Sequence, residues 1–345
     1  MFTARTYHRN AREAIWLALM AILTAAIMLM MGVKLAGAAE PQPPRFLPAL
    51  VAEWQEAVDQ FRDRNFVEAG DRLQDIQHRV APWMPIELPV DRGLALWNAL
   101  AAQGRGQFEQ AMSDWARTEL PDDMRAWKHI AIAAMNLERG RNDEAAEELA
   151  MAQLHEPDNA VVHYYLGILH IQQADQAIEW PDFIRTSNVR LVAHNPSVVP
   201  NTKGMYELAA TSDLERALDA AGCLDRDAAL IPEEWTTEPA LRPTVADLLL
   251  AMGATEFEAN AHHMLGYLFI ERGALEVAEE HLDRTNELGV RVPFIFNELG
   301  ELYEAEGRHA DAGRAYLKGV RNGPDRVGAL MRFFQNAGDS VRERR

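Results

Sequence analysis

Apolar residues return every three or four positions through residues 259–326 and again through 92–171, the spacing that gives an α-helix one buried face. The pattern is fainter between Trp54 and Ile76, where Ala69 and Leu73 fit a second helix. Stepping along the chain by 34 turns this impression into a register. Leu265, Gly266, Phe269, Gly273, Ala278 and Leu282 land on Leu299, Gly300, Tyr303, Gly307, Ala312 and Tyr316. Upstream, Gly106, Ala111 and Trp115 land on Gly140, Ala145 and Leu149, and Ile132-Ala133 lands on Leu166-Gly167. Each unit reads as two helices joined by a tight turn. Leucine and an aromatic four residues on share the face buried against the paired helix. The small residue beside the leucine lets two helices approach. Gly273 and Gly307 stand where the first helix must end at positive φ, and Pro157 and Pro324 stop the second helix.

The register breaks once. A helix starting near Val161 is predicted to run towards Trp180. Then Pro181, Pro196 and Pro200 punctuate an irregular stretch with a short extended piece at Val189 to Val192. A further helix from about Met205, with Leu208, Leu214, Leu218 and Ala221 on its apolar side, suits the displaced second helix of the broken unit. Ile231 to Pro243 reads as another loop, followed by a helix over Thr244 to Met252. The insertion carries Trp180, Phe183, Leu191 and Val198, too apolar for a solvated linker. It is expected to pack on the helices.

At the other end, Ala14 to Val33 is an uncharged stretch of 20 residues, enough to cross a hydrocarbon core as a helix. Arg5, Arg9 and Arg12 precede it and Lys34 follows, which places the N-terminus in the cytoplasm and the rest of the chain on the far side. Ala36-Gly37-Ala38 fits a signal-peptidase site ahead of the Pro-rich Glu40 to Pro44, whereas the length of the apolar run fits a retained anchor. Both readings stand: an inner-membrane anchor with a periplasmic repeat domain, or a periplasmic protein cleaved near Ala38.

The repeated residues resemble the tetratricopeptide repeat family, closely in 259–326, moderately in 92–171 and weakly before that. The resemblance implies an all-α solenoid of helical hairpins, here with a non-repeat insertion and an N-terminal hydrophobic helix. It divides the chain into a signal or anchor (1–38), a Pro-rich linker (39–48), degenerate repeats (49–171), the insertion (172–257), two clear repeats (258–326) and a C-terminal cap and tail (327–345). It also implies a partner-binding groove lined by the first helix of each unit. In this chain the corresponding residues are Trp127, Ile130, Tyr164, Ile168, Asn260, His263, Tyr267, Ile270, Phe294, Asn297, Glu301 and Glu304. That lining is apolar and aromatic with acidic spots, and it lacks the Lys and Asn pairs with which some members of the family grip a terminal carboxylate. A basic or amphipathic segment, or a neighbouring subunit, is the expected partner. The apolar insertion is also able to fill part of the groove itself.

Charge sharpens this. The formal net charge is −18, and the N-terminal segment is basic, so the exported part is more acidic than the whole. Such a chain does not attract phosphates, and no nucleic-acid partner is expected. The single cysteine, Cys223, excludes an internal disulfide. No phosphate loop, dinucleotide fingerprint, nucleophile elbow or calcium loop is found. Neither cofactor nor metal is expected, and the chain reads as a binding protein without catalysis. His163, His170 and His262 occupy packing positions of the repeat, and the carboxylate pairs Asp143-Glu144, Glu147-Glu148 and Glu279-Glu280 are expected on solvated faces. Function is therefore expected to be that of an interaction scaffold or assembly factor on the non-cytoplasmic side of a membrane. The alternatives are a structural subunit of a larger membrane complex, or a metal, cofactor or enzymatic site built by the insertion from His170, His194 and Asp182.

Overall fold

A computed structural model describes residues 47–80, 89–176, 202–233 and 239–322. The hydrophobic segment 14–33, the stretch 177–201 and the C-terminal residues from 323 lie outside the described residues. No described helix is long and apolar enough to cross a membrane. The described helices are α1 (Leu47–Arg62), α2 (Phe66–Val80), α3 (Pro89–Gly104), α4 (Phe108–Arg117), α5 (Arg125–Glu138), α6 (Asn142–His155), α7 (Ala160–Gln176), α8 (Thr202–Ala221), α9 (Val245–Ala251), α10 (Phe257–Glu271), α11 (Leu275–Glu287), α12 (Pro293–Ala305) and α13 (His309–Asn322). Twelve of them pair consecutively as hairpins, from α1–α2 to α7–α8, then α10–α11 and α12–α13.

The hairpins share one construction. A methyl group on Gly266 would lie 2.7 Å from the Leu282 side chain, and one on Gly300 would lie 2.5 Å from the Tyr316 ring. Both second helices therefore cross against bare backbone. Gly167 meets Leu214 at the same 2.7 Å, with the Ala210 carbonyl 3.6 Å away, as the Ala278 carbonyl is 3.5 Å from Gly266. Thus α8 completes the broken unit as its second helix, although residues 177–201 intervene. It begins earlier than expected, at Thr202, while the expected continuation of α7 from Gln176 to Trp180 lies outside the described residues. One expected apolar contact is corrected. Leu208 is exposed, because the buried stripe of α8 runs through Ala210, Leu214 and Ala217, and a residue two places before Ala210 faces the opposite way.

The turns follow the same rule. Gly273 and Gly307 have φ of +71° and +75°, as their positions predict. In α1–α2 the equivalent place is held by Arg64 at φ 65°, a conformation that costs a side-chain-bearing residue about 1–2 kcal/mol. The turn of that hairpin consequently carries no glycine to mark it in the sequence.

The remaining helix, α9, belongs to no hairpin. Thr244 caps it, with Asp247 closing a reciprocal capping box. The same Asp247 accepts two hydrogen bonds from Arg62 at the end of α1, at 2.9 and 3.0 Å. Trp97 on α3 donates from Nε1 to the Leu241 carbonyl at 2.7 Å, and its ring meets Phe61 edge-on. Leu230, Ile231, Leu241, Val245, Leu248 and Leu249 are all buried in one core with Trp54, Phe61 and Trp97. The second half of the insertion is therefore seated on the first helices of the first two hairpins. A separate core, from Ile270 to Tyr316, holds the last two hairpins together.

Candidate protein-binding face

Since the insertion occupies α1 and α3, the residues expected to line a groove divide into two groups. Ile130 is fully buried, and Trp127, Tyr164 and Ile270 are nearly so. These four side chains are taken up by packing and expose little surface to a partner, with Trp127 also bordering a cleft. The reason is local. Ile130 and Tyr164 pack within the main core, where Tyr164 meets Phe257 at 5.8 Å between ring centroids and is hydrogen-bonded to Asn260. Ile270 is the first residue of the C-terminal core. Ile168 is half-buried against the main core.

The other group lies on α10 and α12. Asn260, His263 and Asn297 are half-buried, Glu301 is exposed, and Glu304 accepts a hydrogen bond from the Tyr316 hydroxyl at 2.7 Å. Tyr267 is 45% exposed and Phe294 is 72% exposed. Large aromatic side chains left this open are uncommon on a folded chain and mark contact surfaces. The Asn297 Oδ1 is buried without a hydrogen-bond partner.

Comparison with known proteins places this arrangement. No family model and no curated protein matches the chain. Among solved structures, it is similar to a chain of the APC/C hetero-tetramer Cut9–Hcn1, with 11% identity over 83% of this chain and 42% of that one, at a TM-score of 0.51. The chain has the tetratricopeptide-repeat fold. A thermophilic tetratricopeptide repeat protein of Thermus thermophilus is also similar, with 17% identity over 72% of this chain and 97% of that one, at a TM-score of 0.37. This chain spans less than half the length of the Cut9–Hcn1 chain that it matches.

Within the tetratricopeptide fold, histidines at one repeat position tie first helices to second helices. His129 Nδ1 lies 2.7 Å from Glu148 Oε2. One repeat later, His163 Nδ1 lies 3.1 Å from Asp213 Oδ1 and its Nε2 lies 2.9 Å from the Pro157 carbonyl. The Asp213 carboxylate and the Pro157 carbonyl are both acceptors. His170 Nδ1 stands 3.1 Å from the other Asp213 oxygen, off the hydrogen-bond axis. Burial would raise the Asp213 carboxyl, yet its contacts with His163 and then His170 outweigh burial and hold it down at about 2. In α10–α11 the partner is another histidine, with His262 Nδ1 and His281 Nδ1 2.9 Å apart and His281 stacked on Phe269. Burial, then His281 and Arg284, lower His262 to about 4, and burial also lowers His281 and His263.

The sign of this last rung is testable. A histidine whose folded pKa is depressed favours folding while it is neutral, so its contribution is complete above the unfolded value near 6.5 and is lost as pH falls towards 4. Screening at this half-exposed site limits the effect to about 1–2 kcal/mol. His262→Phe, which installs the residue found at the same position as Phe296, should flatten the fall in melting temperature between pH 6.5 and 4. A fall as steep as in the unaltered chain would show that the titration lies elsewhere.

Several sequence expectations resolve here. Glu148 and Glu279 are not simply solvated: the first meets His129, and the second accepts from Lys318 at 2.7 Å and from the Tyr303 hydroxyl at 3.0 Å. Cys223 is exposed just beyond α8. It borders a cleft of about 460 Å³ whose lining includes Trp127, His155, Pro157, Leu224 and Val245. No local pattern of residues marks this cleft, because Val245 comes to it from the insertion. Among the described residues no three His, Cys, Asp or Glu side chains are placed to hold a metal. His194 and Asp182 lie outside the described residues, and His170 is engaged with Asp213.

Proposed function

We propose that this chain is a protein-interaction scaffold or assembly factor that receives a segment of its partner on the first-helix face of α10 and α12. One observation carries the reading. Tyr267 and Phe294 are exposed on that face, while the corresponding surface of α1 and α3 is already filled by the chain's own Leu230, Ile231, Leu241, Val245, Leu248 and Leu249. Stacked helical repeats offer such faces for extended contact. The uncharged segment Ala14 to Val33 and the basic residues before it support a location at, or export across, the inner membrane, with the repeats on the periplasmic side. Permanent residence in a larger membrane complex is the second reading, favoured by the same segment if it is retained.

Gentle detergent extraction of the tagged native chain, followed by affinity purification, tests the proposal. The expected result is a partner recovered in near-stoichiometric amount. Recovery of the chain alone, before and after mild cross-linking, would count against it.

A further inference from the structure

The charges around the exposed aromatics narrow the partner's chemistry. Neither α10, FEANAHHMLGYLFIE, nor α12, PFIFNELGELYEA, contains a lysine or arginine, while together they carry Glu258, Glu271, Glu298, Glu301 and Glu304. Tyr267 stands one helical turn before Glu271 on α10, and Asp175 on α7 and Glu298 on α12 lie within electrostatic reach of its hydroxyl. All three are exposed, and none is ion-paired among the described residues. The Tyr267 hydroxyl responds to them. Glu271 first, then burial and the more distant Glu298 and Asp175, raise it above the ordinary tyrosine value.

The cations of these hairpins are directed elsewhere. Lys318 pairs with Glu279 and Asp283, Arg308 pairs with Glu276 and Asp311, and Arg314 also pairs with Asp311. Arg284 pairs with Glu287, and Arg272 at the end of α10 stacks over Phe269. Arg291 stands before α12 begins, and Arg321 lies in the last turn of the second helix α13. The face thus combines open aromatic rings with carboxylates that repel one another, and a cation from outside would relieve that repulsion.

We infer that the segment seated on the α10–α12 face is basic, with an arginine side chain received beside Tyr267 among Asp175, Glu271 and Glu298. The inference rests on the proposed binding role of this face. A guanidinium suits the place because it stacks on an aromatic ring and offers a planar fork of donors to carboxylates. Phe294 takes the apolar side chains of the same segment.

The test uses the full chain and two synthetic peptides, one alternating arginine with leucine and phenylalanine, the other with glutamine at each arginine. Binding is read by fluorescence anisotropy at about 0.05 M and about 0.3 M salt, a range over which surface charges become screened. The arginine peptide should bind, weaken with salt, and weaken about tenfold or more in the variant Asp175→Asn, Glu271→Gln, Glu298→Gln. The glutamine peptide should bind far more weakly. Glu144→Gln with Glu147→Gln, an exposed pair on α6, controls for the overall acidity of the chain and should leave binding unchanged. Circular dichroism checks that each variant is folded.

Each contrary outcome identifies what failed. Equal binding of the glutamine peptide, lost in Tyr267→Ala with Phe294→Ala, would overturn the basic partner and leave the face in place. Arginine-peptide binding that survives both the charge variant and the aromatic variant would overturn the face as well. Binding of neither peptide, together with self-association of the chain by light scattering, would assign the face to a second copy instead.

Discussion

Tyr267→Ala combined with Phe294→Ala is expected to abolish recovery of the partner while leaving the fold unchanged. The two rings are the most open aromatics on the first-helix face, so their truncation removes contact area without opening a core. Exposed substitutions of this kind usually shift stability by less than about 0.5 kcal/mol. Aromatic anchors at a contact, by comparison, commonly cost about 2 kcal/mol each when truncated. Together they should weaken binding by roughly two to three orders of magnitude. The checks are quantitative affinity purification and a thermal melt of the same preparation. Val67→Ala with Leu154→Ala, exposed apolar residues on second helices, is the matched control and should retain the partner.

Trp97→Ala is expected to produce the largest loss of stability among single changes in the first two hairpins. Its side chain is fully buried, packs edge-on against Phe61 at 5.2 Å, and lies beneath the Arg62 guanidinium. Truncation of such a residue costs about 3–5 kcal/mol. The Leu241 carbonyl also loses its indole donor, and a buried acceptor left unpaired costs about 1–3 kcal/mol more. Trp97→Phe keeps most of the packing and loses the hydrogen bond, so it should fall between the two. Because repeat arrays are stabilised by nearest neighbours, the damage should remain local. Amides of Leu248 and Leu249 should exchange faster, with those of α12 and α13 unchanged. A loss below about 1 kcal/mol would mean that the insertion is not held through Trp97.

How much of this was legible beforehand depends on the range of the interaction involved. The cradle of Gly266 for Leu282 recurs at Gly300 and Tyr316, and a fixed period exposes it because each contact lies within one hairpin. The broken unit was also readable, since Leu214 retains the residue type even though its distance from Gly167 along the chain is altered. The first hairpin was faint because Arg64 takes the turn that glycine takes elsewhere. The seating of the insertion was hidden altogether. Asp247 and Arg62 are 185 residues apart, and neither carries a local mark of the other. For the same reason the repeat positions of Ile130 and Tyr164 named a face without revealing what covers it. The histidine rungs were half visible. His129 and His163 stand one period apart, but their carboxylate partners become apparent only when the second helices are in place.

On the proposed reading, the insertion takes the first-helix face of α1 and α3 and leaves that of α10 and α12 for a partner. Hydrogen exchange of the purified complex, compared with the free chain, tests this division most directly. Exchange should slow in Phe257–Glu271 and Pro293–Ala305, with Leu47–Arg62 and Pro89–Gly104 unchanged. Protection of Leu47–Arg62 and Pro89–Gly104, with α10 and α12 exchanging as before, would contradict it.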